Sequence, residues 1–124
     1  MTRINVGVPP MELCDKHLMA EAREIKRIPN CVAKGKYDLK GQPKEFTLGT
    51  GHVKFFYSRL GYLKNRYEEL YSECVKRGFN VTYYGDAWND VPKHLMNDYI
   101  PTDRDIKIIK ERISERLKTM KHAK

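Results

Sequence analysis

Between Gly51 and Gly78 the chain places Val53, Phe56, Leu60, Leu63, Tyr67, Leu70 and Cys74 at alternating steps of three and four residues. Such spacing returns to one side of an α-helix at every turn and to no single face of a strand. It therefore predicts one helix over 51–78 with a continuous buried stripe, stopped by Gly78 after Lys76 and Arg77. A stripe of this length needs a covering surface. With fewer than four heptads and aromatic residues within it, an internal core fits better than a coiled-coil dimer, so a monomer is expected. Gly61 interrupts the helix, which is tolerable if another backbone passes close by.

The covering surface comes from two further helical patterns. After Pro9-Pro10 the stretch "MELCDKHLMAEAREIKRI" meets no breaker until Pro29. At about 100° per residue, Met11, Cys14, Leu18, Ala22 and Ile25 fall together on one side, and Lys16, Arg23 and Arg27 on the other with Glu24 at their edge. A third helix begins after Pro101, with Thr102 as N-cap, Asp105 supporting the first turn, and Ile106, Ile109, Ile113, Leu117 and Met120 as its apolar face. Segments 30–50 and 79–103 read as ordered, function-bearing loops. "GFNVTYYGDAW" has strand-like composition but no partner, so no sheet is predicted. The expectation is an all-α, single compact domain over 1–124, with three main helices and long ordered loops.

Charge narrows the function. The net charge of +8 divides into +4 over residues 1–44, −1 over 45–106 and +5 over 107–124. If the two basic ends meet they form one positive face, the footprint of a nucleic-acid binder. No apolar run approaches a membrane span, and Arg3 and Asn5 interrupt a signal-peptide pattern. Cys14, Cys31 and Cys74 are odd in number and unpaired in spacing, as reduced thiols of a cytoplasmic protein are. The histidines have no metal-ligand spacing, so no metal is expected.

The familiar catalytic kits are missing: there is no GxSxG, Walker loop, GxGxxG or HExxH. Glu21 and Glu24 could form a hydrolase pair, but carboxylates three apart on a basic helix are commonly surface ion-pair partners. What remains is Glu24 among Lys16, Arg23 and Arg27, together with the N-terminus. Thr2 is small enough for Met1 to be removed, which exposes its α-amine. Such an amine titrates near about 7.7–8.0, so part of it is already neutral at neutral pH, and it can form a Schiff base with a sugar aldehyde. Against this stands the ordinary tendency of first residues to be loose and functionless.

"MTRIN", "HLMAEAREIKR", "GTGHVKFFYSRLGYLKNR" and "ECVKRGFN" together resemble the pyrimidine-dimer DNA glycosylase/AP lyase family of T-even-type phages, often called endonuclease V. The likeness runs from Met1 to about Ile113, with the motifs in the same order. It implies an all-α fold, no metal or other cofactor, and damaged double-stranded DNA as partner. By resemblance, the amine nucleophile falls on Thr2 and the acid/base glutamate on Glu24. The phosphate-gripping residues fall on Arg3, Arg23, Arg27, Arg112 and Arg116, and His17 lies beside the pocket. The chain departs from the family at Lys16, where glutamine is usual, at Ala22, where a tyrosine is usual, and in its ending "KTMKHAK" in place of an aromatic basic tail. Lys16 is a point charge suited to phosphate and joins the expected DNA-binding set. The substitutions leave open a same-mechanism glycosylase acting on another damaged or modified base. A non-catalytic basic helical DNA-binding module would have no use for Thr2 or Glu24, and in a helical protein-interaction domain the basic ends would be incidental.

Overall fold

The computed structural model describes residues 2–122, with side chains through residue 118. Five helices appear in chain order: α1 (Asp15–Glu24), α2 (Arg27–Ala33), α3 (His52–Phe55), α4 (Leu60–Lys76) and α5 (Asp103–His122). Among the described residues none lies in a strand, and "GFNVTYYGDAW" ends in a short 3-10 turn at Gly85–Trp88. The fold is all-α, as expected.

The central stripe is buried: Phe56, Leu60, Leu63, Tyr67, Leu70 and Cys74 are at most 1% exposed. The single helix expected over 51–78 is instead broken between Phe55 and Leu60. Carbonyls freed at the break find partners elsewhere, as buried backbone groups must. Gln42 Nε2 donates to the Lys54 and Phe55 carbonyls at 3.0 and 3.1 Å, the Arg59 guanidinium donates to Phe55 O at 2.6 Å, and Asn97 Nδ2 donates to Ser58 O at 2.9 Å. The expected close approach at Gly61 is present. A Cβ there would stand 2.7 Å from the Met96 carbonyl oxygen, and the Tyr62 amide donates to Asn97 O at 3.1 Å. At the other end Gly78 N–H bonds to Val75 O and Phe79 N–H to Cys74 O, a Schellman stop.

The first helix also differs from expectation. Pro10–Glu12 form only a 3-10 turn, Leu13 is extended, and α1 starts at Asp15. Pro29 does not end it: Pro29 sits in the first turn of α2, where a missing amide hydrogen costs nothing. Leu18 and Ile25 are buried, whereas Met11 is exposed and Cys14 and Ala22 are half-buried. α1 packs on α4.

The start of α5 is as read. Thr102 Oγ1 accepts from Asp105 N–H at 3.1 Å while Asp105 Oδ2 accepts from Thr102 N–H at 3.0 Å, a reciprocal cap, and Asp105 also receives the Tyr99 hydroxyl. Ile109 is buried, Ile106 and Ile113 are half-buried and Leu117 is exposed, so the apolar face fades toward the end. Met120's side chain lies outside the described residues. One core cluster runs from Ile4 to Ile109 and takes Phe46 and Trp88 from the two long connections, Trp88 donating its indole N–H to Leu60 O at 3.1 Å.

Candidate active site

The N-terminal segment belongs to the core. Ile4, Val6 and Val8 are at most 3% exposed, and the segment turns at Val6-Gly7, where Val8 N–H bonds to Asn5 O at 3.2 Å. Elements far along the chain hold its polar groups. Ile4 N–H donates to His52 Nε2 at 3.0 Å, Asn5 Nδ2 to Glu21 Oε1 at 2.7 Å, Arg112 to Asn5 Oδ1 at 2.8 Å, and Arg66 to Val8 O at 2.9 Å. A frayed terminus has no such set of bonds.

This anchoring places Arg3 on a cleft of about 260 Å³, where it meets His17 and Glu24 from α1 and Arg112 and Arg116 from α5. Thr2 lines an adjoining cavity of about 310 Å³ beside His52, and Arg3 and Arg112 border both spaces. The two basic ends of the sequence thus do meet in space.

Two carboxylates reach the cleft, and they differ. Glu21 is 2% exposed, and both its oxygens are engaged: Oε1 by Asn5 and by Arg66 at 3.0 Å, Oε2 by Arg66 Nε. Glu21 is therefore no surface ion-pair member, and three of its roughly four acceptor sites are already taken by Arg66 and Asn5. Among the described residues the one ion-pair contact of Glu24 is Arg23 at 4.0 Å, with the Arg23 side chain 63% exposed. A contact that long and that wet is weak. Glu24 is the carboxylate left available.

Positive charge is crowded around it. Burial first, then Arg3 and Arg116 nearby, press the Arg112 guanidinium down to about 10, so it remains charged at neutral pH. Burial, followed by Arg112, Arg116, Lys16 and Arg3, holds His17 below its ordinary value. His17 Nδ1 is buried with no hydrogen-bond partner among the described residues. Several guanidinium groups held together with little counter-charge suit an anion with many acceptors, such as phosphate.

The remaining residues expected at the site lie outside this cleft. Lys16, Arg23 and Arg27 are exposed, and the shared helix face expected for them is interrupted because Arg27 begins α2. Arg23 and Ala22 instead line a cavity of about 180 Å³ with Tyr67, Tyr71 and Tyr84. Reading by motif missed Asn5, His52 and Arg66 and set Glu21 aside as a surface ion-pair partner. A signal existed for one pair: Glu21 and Arg66 sit at the edges of two buried stripes, where opposite charges on facing helices are expected to pair.

An all-α protein with a cationic cleft around one available carboxylate is built to handle a phosphate-bearing polymer. Residues 1–84 match the family described as pyrimidine dimer DNA glycosylase, and the chain belongs to that family. It is a DNA-repair glycosylase that acts on pyrimidine dimers in DNA. The matched stretch includes Thr2, Arg3, His17 and Glu24 and stops short of α5 with Arg112 and Arg116. Among the described residues no helix is long and apolar enough to cross a membrane.

Proposed function

We propose that the chain is a bifunctional glycosylase/AP lyase whose nucleophile is the α-amine of Thr2, exposed by removal of Met1. The amine nitrogen bonds to C1′ of the damaged nucleotide as the glycosidic bond breaks, and the base leaves with the bond's electron pair and takes up a proton. Glu24 stabilises the positive charge that develops at C1′. Loss of the amine proton and opening of the sugar ring, with O4′ protonated, give an imine. Glu24 then accepts a C2′ proton, and β-elimination expels the 3′ phosphate. Water finally hydrolyses the imine and returns the amine. Arg3, Arg112 and Arg116 grip phosphates from within the cleft, and Lys16, His17, Arg23 and Arg27 extend that grip along damaged double-stranded DNA.

The observation that carries this reading is the anchored N-terminus, which sets Thr2 beside the arginines while Glu24 alone of the two cleft carboxylates stays available. Borohydride reduction on an abasic-site duplex tests it. A covalent adduct should form on the Thr2 peptide and vanish when the N-terminus is acetylated. An adduct on a lysine peptide sinks the assignment. Base release without any adduct would favour a glycosylase that lacks the lyase step.

A further inference from the structure

His52 is buried in the core side of the Thr2 cavity, with Phe46 and Phe56 edge-on at 5.4 and 5.5 Å between ring centroids. Its two ring nitrogens have partners of opposite kinds. Nε2 stands 3.0 Å from Ile4 N–H, which only donates, and Nδ1 stands 2.9 Å from Thr47 O, which only accepts. That pairing admits one form: neutral imidazole with its hydrogen on Nδ1 and its lone pair on Nε2. The Ile4 bond is also the last hydrogen bond toward Thr2 among the described residues. Two extended residues span about 7 Å, so the placement of Ile4 largely decides where the amine of Thr2 can reach.

We propose that His52 is a positioning residue for the reaction: by accepting the Ile4 amide hydrogen it sets the register of the N-terminal segment and thereby the reach of the Thr2 amine, and only its neutral form can do so. This rests on Thr2 being the nucleophile. A protonated ring would turn a second donor against Ile4 N–H and bring charge into an aromatic cage. Of the groups facing it, the Thr47 carbonyl favours that charge, while the nearby guanidinium groups oppose it. Arg3 from the N-terminal segment and Arg112 from α5 repel it, and Lys54 of α3 lines the same cavity with Tyr57. Glu21 of α1 attracts it, but that carboxylate is already engaged by Arg66 and Asn5. Burial above all keeps His52 below its ordinary 6.5. The sign follows: with the folded value depressed, the closed arrangement is fully favoured above 6.5, and acidification through and below it favours release of the segment.

The test compares wild type with His52→Gln, which keeps an acceptor near Nε2 but cannot titrate, and His52→Phe, which fills the aromatic cage without an acceptor. Single-turnover borohydride trapping on saturating abasic duplex is followed between about pH 5 and 8, the range in which imidazoles titrate. Hydrogen exchange of the Ile4 amide is measured alongside. In wild type the slope of log rate against pH should rise toward two at the acid end, one proton for the amine and one for His52. His52→Gln should keep a slope of one and a protected Ile4 amide. His52→Phe should lose that protection and trap about tenfold or more slowly at every pH, with duplex affinity unchanged. A tenfold loss is the scale of a modest misplacement of reacting groups. A slope of two in His52→Gln, or wild-type trapping with a protected amide in His52→Phe, overturns the proposal. If His52→Phe fails to fold, the slope of His52→Gln decides. If acetylated wild type still traps, the Thr2 reading falls by itself. Ile4 protection lost in His52→Phe and kept in His52→Gln would then still uphold the anchor, and equal protection in both would sink it.

Discussion

The two basic ends of the chain wall the same cleft in opposite ways. At the N-terminal end Ile4 and Val6 are fully buried, and Ile4 N–H, both ends of the Asn5 amide and Val8 O find partners on four different helices. At the far end α5 leaves the core: Arg112 is half-buried, while Arg116 and Leu117 are exposed. A group that forms a bond must be held within a fraction of an ångström, which burial and hydrogen bonds provide. A charge that grips a flexible, repeating polymer acts over several ångströms and carries a desolvation cost when buried. The difference teaches that position is built into the core at one end and reach is left on the surface at the other.

The two carboxylates of α1 give the largest expected effects, because one belongs to each regime. Glu21→Gln leaves the Arg66 charge buried without its counter-ion, and should cost about 3–5 kcal/mol of stability. Glu24→Gln should leave stability within about 1 kcal/mol of wild type. Its base release under single-turnover conditions should fall about 10²-fold or more, the scale of losing a positioned acid/base group. Chemical denaturation and single-turnover kinetics on the same two variants check both. A stable Glu21→Gln, or a Glu24→Gln with normal turnover, would erase the distinction between anchor and chemistry.

The next pair lies on α5, one turn apart, and straddles the divide. Both Arg112→Ala and Arg116→Ala should lower the slope of log affinity against log salt by about one unit, since each removes one phosphate contact. Only Arg112→Ala also strips Asn5 Oδ1 of its donor. An unsatisfied group in that partly buried setting costs about 1–3 kcal/mol, which thermal melting will register. An Arg116→Ala protein with an unchanged salt slope would remove α5 from the DNA surface.

Legibility in the sequence followed the same divide. The buried stripes of α4 and the reciprocal cap of α5 could be read, because periodicity and capping are local properties of consecutive residues. The break between α3 and α4 could not. It depends on Met96 and Asn97 pressing on Gly61 and on Gln42 collecting the freed carbonyls, contacts between distant segments. The charge blocks made a meeting of the two basic ends readable as a condition, and the family resemblance supplied Arg3, His17, Arg112 and Arg116 beside Glu24, whereas Thr2 falls in the neighbouring cavity and Arg27 on a separate helix. Asn5 and Arg66 escaped notice, and Glu21 read as a surface residue, because a buried polar chain has no sequence period of its own. Its members are recognised only when their partners are seen.

The smallest effects are expected at the two positions where the sequence departs from the resembling family, since both lie outside the cleft. Ala22 sits on the wall of the cavity bounded by Tyr67, Tyr71 and Tyr84, so aromatic surface remains there without a side chain from position 22. Restoring it with Ala22→Tyr adds one stacking surface next to Arg23. One weak base–aromatic contact is worth about 1 kcal/mol, roughly fivefold in pyrimidine-dimer cleavage relative to abasic-site cleavage on matched duplexes. Lys16 is exposed and acts on the cleft through His17, which it helps hold below its ordinary value after burial, Arg112 and Arg116. Lys16→Gln should therefore move the His17 titration upward, a shift that NMR resolves even where cleavage hardly changes. It should also weaken binding through at most one phosphate contact. A fall in dimer cleavage in Ala22→Tyr would show that the tyrosine-lined cavity needs its open space. An unmoved His17 in Lys16→Gln would show that α5, rather than the start of α1, sets the electrostatics of the cleft.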